Sequence, residues 1–261
     1  VFRVFSQLYI IVKRHEKLGI KQTIQKHWMD RVLQMMLAGM SEKDIRNDLL
    51  NYLRTQKQSG GEAERGLKTY TMAIGILASW FSPPSELREF VDRSFGLAKH
   101  TNQKELLPLH WSVIVSSYPF WFNVARQSGR LLALQDQITQ AQIVIRLKEQ
   151  YGDRETISRN TRYALRSFVA WGVLKDSDVK GSYQKGDVHT ITDIDLVLNI
   201  FEAALHATNT GKLPLKLLMN HPALFPFNIS SFSVGEIIAK LPESLSLQQF
   251  SSADDILMLK G

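Results

Sequence analysis

The sequence predicts a mostly α-helical protein with a winged helix-turn-helix at its centre. Three observations lead there. Apolar residues recur at helical spacing along most of the chain. Residues 156–171 form one helical stretch that carries arginines and no acid. Two short apolar runs then enclose a polar, lysine- and glycine-bearing segment at 175–187, the pattern of a hairpin. Three regions are expected: a helical N-terminal domain (1–105), the winged helix-turn-helix (106–192), and a small helical C-terminal region ending in a β-hairpin (193–261).

In the N-terminal region Trp28, Val32, Met35 and Met36 recur at helical spacing, and Gly39 supplies the stop. Ser41 stands three residues before Asp44, a cap with an acidic first turn. The helix it opens turns Ile45, Leu49, Leu50 and Leu53 inwards and leaves Arg46, Asn47 and Arg54 outside. Residues 56–61 read as a polar loop, and 65–81 as a helix presenting Leu67, Met72, Ile76 and Leu77 to the core, ended by Pro83 and Pro84. Residues 85–99 form a further amphipathic helix. Arg65 and Lys68 at the start of a second helix allow a degenerate helix-turn-helix here, and a plain helical bundle explains the same pattern.

Residues 106–135 are apolar with Pro119 in the middle, which predicts a break near Tyr118 because proline removes a backbone donor and crowds the preceding turn. Trp111, Tyr118, Phe120, Trp121 and Phe122 read as core. They lack the interleaved basic residues of a platform for single-stranded bases.

From 120 onwards the elements are ordered as one unit. A helix over 120–135 directs Val124, Leu131 and Leu134 inwards, and Ile138 begins a short strand. Thr139 caps a helix over 140–151 that buries Ile143, Ile145 and Leu147 in part and stops at Gly152. After a turn at 153–155, the helix over 156–171 buries Ile157, Ala164, Leu165, Phe168 and Val169 and ends at Gly172. Val173-Leu174 and 188–191 are the two strands of the wing, with Lys175, Lys180 and Lys185 along the connection.

The candidate DNA-binding residues follow from this frame. Arg154, Ser158, Arg159, Asn160, Arg162, Tyr163 and Arg166 are expected at the groove, where Arg can bond guanine and Asn adenine in bidentate fashion. Lys175, Lys180 and Lys185 are expected to neutralise phosphates from the wing.

In the C-terminal region, 193–208 is an amphipathic helix begun by Asp193 and Asp195. Residues 213–219 form a short helix, and Ser233 caps another over 234–240. Leu245, Leu247 and Phe250 alternate with polar residues, and Ile256, Leu257 and Leu259 end the chain. A terminal hairpin packing on the rest is expected, with a partner-binding edge strand as the sharper alternative.

Composition sets the outer bounds. The 261 residues are 44% hydrophobic and 22% charged, which excludes a chain that is disordered or fibrous throughout. The most apolar stretches, 72–81 and 111–122, are about half the roughly 20 residues of a membrane-spanning helix. Residues 1–5 show no signal-peptide arrangement, so a cytoplasmic protein without a membrane partner is expected. Absence of cysteine excludes disulfides, thiolate metal sites and a cysteine nucleophile.

The net charge of +7 favours a polyanionic partner, and its placement sharpens the point. Residues 1–27 hold six basic side chains against one acid, and 153–185 hold seven against four, every acid lying outside 156–171. A solvated basic face and an arm lying on phosphates both account for the first cluster.

The chain contains no P-loop, dinucleotide fingerprint or nucleophile elbow. Seven histidines, at 15, 27, 100, 110, 189, 206 and 221, contain no i, i+4 pair and no zinc set. Asp176 with Asp178, and Asp254 with Asp255, read as solvated loop pairs. A non-enzymatic protein without cofactor or metal is expected.

Residues 38–46 (Ala38-Gly39-Met40-Ser41-Glu42-Lys43-Asp44-Ile45-Arg46), the turn Tyr151-Gly152-Asp153-Arg154-Glu155-Thr156 and the exit Arg166-Ser167-Phe168-Val169-Ala170-Trp171-Gly172-Val173-Leu174 carry a family likeness. In order and spacing over residues 28–192 the chain resembles the BrxA-type proteins of BREX phage-defence clusters. The resemblance implies a small helical protein of helix-turn-helix character that binds double-stranded DNA without cutting it, as an accessory part of a defence complex whose other proteins are partners. Two alternatives use the same fold: a transcriptional regulator, and an assembly scaffold that touches only protein.

Overall fold

Proline and capping residues set where the helices break. In a computed structural model of the chain, residues 14–56, 67–250 and 254–260 are described. The loop expected at 56–61 lies outside them except for Gln56, as do Arg3, Lys13 and Arg65. The fold is mostly α-helical with three small sheets. No helix among the described residues is long and apolar enough to cross a membrane.

Helix α1 (Lys26–Leu37) buries Trp28, Met29, Val32, Leu33 and Met35. Gly39 follows at φ +73°, the left-handed conformation that reverses the chain without Cβ strain. Helix α2 (Glu42–Thr55) starts where Ser41 Oγ accepts the Asp44 N–H at 3.2 Å, and buries Ile45, Leu49 and Leu53. Helix α3 (Leu67–Leu77) stops well before Pro83, and Leu67, expected to face inwards, is 56% exposed because it is the first residue of that helix. The amphipathic stretch after the prolines divides into a 3-10 turn (Ser85–Leu87) and α4 (Arg88–Ala98).

Helices α5 (Leu107–Ser117) and α6 (Pro119–Leu132) meet at Tyr118, the break predicted from Pro119. Every residue of α5 is buried, and so is most of α6. Trp111, Trp121, Phe168, Trp171, Phe225 and Phe227 interlock there with ring centroids 4.9–6.2 Å apart, mostly edge to face. The aromatic segment is core. Leu134, expected inside, is 85% exposed, since it lies past the last turn of α6 where helical phase no longer governs its direction.

Strand β1 (Gln137–Thr139) leads into α7 (Gln140–Tyr151), which is closed by a reciprocal capping box between Thr139 and Gln142. The buried stripe of α7 is Ile143, Leu147 and Tyr151, spaced i, i+4, i+8. That stripe puts Ile145 on the opposite face, 59% exposed and contrary to expectation. Gly152 (φ +81°) turns the chain into α8 (Glu155–Ala170). Strand β2 (Leu174–Asp176) pairs antiparallel with β3 (Ser182–Lys185), and β3 also pairs with β1, giving the order β1-β3-β2.

This pairing corrects one expectation. The return strand of the hairpin is 182–185, not 188–191. Strand β4 (His189–Ile191) instead runs parallel to β6 (Phe227–Ile229) in a separate sheet. The physical reason is register. Tyr183, 3% exposed, faces the core from β3, and the Gly186 N–H and Asp187 N–H donate to Val173 and Gly172 carbonyls, which ends the hairpin there. The segment expected as a polar connection contains the strand.

Helix α9 (Ile194–His206) packs chiefly on α5 and is almost wholly buried. Beyond it, β5 (Lys212–Pro214), α10 (Leu215–Met219), a 3-10 turn at Pro222–Leu224 against α6, and α11 (Val234–Lys240) follow. Strand β8 (Ile256–Leu259) lies between β5 and β7 (Leu245–Gln248), so the terminal hairpin is part of a three-stranded sheet. Packing crosses both expected domain boundaries. One apolar cluster runs from Ile20 to Leu257, the Trp171 indole N–H donates to the Ile24 carbonyl, and the Ile24 N–H donates to Ser167 Oγ.

Candidate nucleic-acid interface

The position of α8 is fixed from beneath. Ile157, Ala164, Leu165 and Phe168 are fully buried, which leaves the opposite face to solvent. Arg159, Arg162 and Arg166, at i, i+3 and i+7, are all exposed on it, with Ser158 and Tyr163 half-buried beside them. The Arg162 guanidinium sits 5.7 Å from the Tyr163 ring centroid, a cation–π contact that keeps the charge outward. Arg166 makes an ion pair with Asp176 on β2.

Tyr183 on β3 lies under the same side. Burial pushes its phenol up from the ordinary value, while nearby Arg166 and Arg162 oppose the shift. The hydrogen bond to Asp176 is also the main reason the Arg166 guanidinium is held above its usual range. Arg166 and Asp176 thereby tie the helix to the hairpin.

Not every sequence candidate belongs to it. Asn160 is 4% exposed and turned into the core, one position from the exposed Arg159, so it cannot present its amide to a base. Helical phase explains this, because Asn160 lies three residues after Ile157 and four before Ala164, on the buried stripe. Arg154 is exposed, but its Nε and Nη2 donate to the Tyr151 carbonyl at 3.1 and 2.9 Å and brace the turn between α7 and α8. The helix also begins one residue earlier than expected, so Glu155 is in its first turn, where the helix dipole favours an acid.

The three lysines separate. Lys175 lies on β2 and bonds Asp187 at 2.9 Å. Lys185 ends β3 and Lys180 is at the tip, both exposed and without an ion pair among the described residues. Asp176 and Asp178 flank the same tip. Two members of the N-terminal basic cluster are engaged internally, whereas Lys17 and Lys21 are exposed without an ion pair among the described residues. Arg14 is buried, donating to the His206 carbonyl at 2.9 Å beside Glu86, and Lys26 bonds Asp30 at 2.8 Å.

Residues outside the sequence-derived set stand near by. Gln140, at the start of α7, reaches the Ser158 carbonyl at 3.4 Å. Arg126 and Arg130 on α6 carry positive charge without an ion pair among the described residues. Their signal was legible: residues 119–135 contain two arginines at i, i+4 and no acid, the same imbalance that singles out α8. No group of His, Asp and Glu among the described residues is arranged to hold a metal ion. Comparisons with protein families, with characterised proteins and with solved structures return no match to this chain.

Proposed function

We propose that residues 119–185 form a winged helix-turn-helix that binds double-stranded DNA without cutting it, with α8 in the major groove and the β2–β3 hairpin on the backbone. The observation that carries the reading is the exposed triad Arg159, Arg162 and Arg166 on one face of a helix that has no acid after Glu155. A helix whose only role was to be solvated would mix both signs. The succession of helix, strand, two helices and hairpin, with the sheet order β1-β3-β2, supports the same reading. Ser158, Tyr163, Lys175, Lys180 and Lys185 complete the surface, and Asn160 is left out of it.

The accessory role in a phage-defence complex rests on the sequence resemblance alone. A transcriptional regulator would use the same surface but prefer one operator by ~10³-fold or more. A scaffold would not bind duplex at all.

Replacing Arg159, Arg162 and Arg166 together by Ala tests this. The expected outcome is loss of an electrophoretic mobility shift with duplex DNA while far-UV circular dichroism is unchanged. For the unaltered chain, log affinity should fall against log salt by about 0.9 for each phosphate neutralised. Unchanged binding in the triple variant, or no binding by the unaltered chain at low salt, overturns the proposal in favour of the scaffold.

A further inference from the structure

A second cationic cluster lies on α6. The His221 imidazole stacks on Phe122 of α6, centroids 4.9 Å apart and planes 20° from parallel. Phe122, Arg126 and Arg130 succeed each other at i, i+4 and i+8, so both guanidinium groups rise from the stripe of α6 that carries the imidazole. Backbone contact fixes the arrangement: a Cβ at Gly129 would come within 1.9 Å of the Pro222 carbonyl oxygen, so the turn bearing His221 rests directly on α6.

The donors in this cluster are only partly used. Arg126 Nη2 donates to Gln150 at 2.9 Å, but Arg126 Nε is buried and has no partner. His221 Nδ1 accepts the Ala223 N–H at 3.1 Å, so the neutral ring carries its proton on Nε2. Arg130 is exposed. The charged groups that act on His221 are Arg126 and Arg130, and those that act on Arg126 are Arg130 and the Tyr151 phenol. No carboxylate is among them. Two like charges one helical turn apart repel each other, and an anion held between them would relieve that repulsion.

We infer that Arg126, Arg130 and His221 form a binding site for a phosphate-type oxyanion, its residues distinct from those of the α8 surface. Guanidinium forks match the oxygens of a tetrahedral anion, and the imidazole Nε2–H adds a neutral donor that costs no further repulsion. The phosphate can be free or part of a nucleic acid backbone, and the chemistry of recognition is the same.

The test uses the unaltered chain first, so it does not depend on whether variants fold. Inorganic phosphate is titrated at pH 7 while the His221 ring and Arg126 Nε–H resonances are followed by NMR, with chloride at matched ionic strength as control. The expected result is a saturable shift of both signals with phosphate alone, and at least a tenfold loss of phosphate affinity in Arg130→Gln. No saturable shift, or the same shift with chloride, overturns the inference. The triple α8 variant should keep the phosphate response, so failure of the DNA reading and failure of this site are told apart. Two arms separate the sources. If duplex DNA displaces phosphate and Arg126→Gln/Arg130→Gln lowers the salt slope by about 0.9 for each DNA phosphate no longer neutralised, the site takes backbone phosphate; if duplex binds without displacing it, the site takes free phosphate.

Discussion

Arg166 on α8 and Asp176 on β2 form an ion pair that joins the basic helix to the hairpin. Both side chains are about half exposed, so the pair contributes at most about 1 kcal/mol to stability. Its larger consequence is electrostatic: one of the three outward arginines is already engaged by an acid. Asp176→Asn should therefore tighten duplex binding by roughly threefold or more at low ionic strength, by freeing Arg166 and removing a repelled charge. Fluorescence anisotropy of a labelled duplex reads this. Weaker binding would mean that the pair positions Arg166 rather than masking it.

The glycines on α6 and α4 give opposite expectations. At Gly129 a methyl group would meet the Pro222 backbone, which cannot yield without displacing the turn, so Gly129→Ala should destabilise by about 2–3 kcal/mol. Gly96 has nothing within 4 Å of its Cβ position and lies inside α4, so Gly96→Ala should stabilise by about 0.5–1 kcal/mol through helix propensity. Urea denaturation of the two variants checks the contrast.

Stability should fall on mild acidification, and His221 should account for part of it. Burial, with Arg126 and Arg130 near by, pushes its pKa down from 6.5 to about 4. The unfolded chain binds that proton first, so the contribution is complete above about pH 6.5 and declines as pH drops towards 4. Over that window the loss amounts to about 3 kcal/mol. Burial lowers His110 in the same direction. The carboxyls of Asp30 and Glu202 are also held below their ordinary range, so their contribution is likewise lost on acidification. Thermal melts from pH 7 to 4.5 should show a shallower slope in His221→Gln than in the unaltered chain, and an equal slope would exclude His221 as the cause.

The capping box at the start of α7 should matter more than its exposure suggests. Thr139 Oγ1 accepts the Gln142 N–H at 3.2 Å, and Gln142 Oε1 accepts the Thr139 N–H at 2.8 Å. Thr139→Ala should cost about 1 kcal/mol, and Thr139→Ser should recover most of it. Chemical denaturation distinguishes the two.

Local signals were strong where a single residue decides a backbone event. Ser41, Thr139 and Ser233 were legible as caps, Pro119 as a break at Tyr118, and Gly39 and Gly152 as stops, because capping and proline sterics act within four residues. Signals faded where facing elements decide. Ile145 and Leu134 are apolar but exposed, since nothing in their own segment states which side the neighbours occupy. Asn160 failed differently: its type suggested base recognition, and helical phase placed it inside.

By itself the sequence determined a helical protein, its breaks and caps, and an acid-free stretch bearing Arg159, Arg162 and Arg166, all properties of residue type and short spacing. Tertiary structure alone decided that 182–185 rather than 188–191 closes the hairpin, because strand pairing selects the register that buries Tyr183. It alone engaged Arg14 and Lys26 with internal partners. It alone brought His221 onto α6 beside Arg126 and Arg130, residues about ninety positions apart that only the packing of the Pro222 turn on Gly129 makes neighbours. Charge is written in the chain, but whether a charge is free to meet a partner is settled by what folds against it.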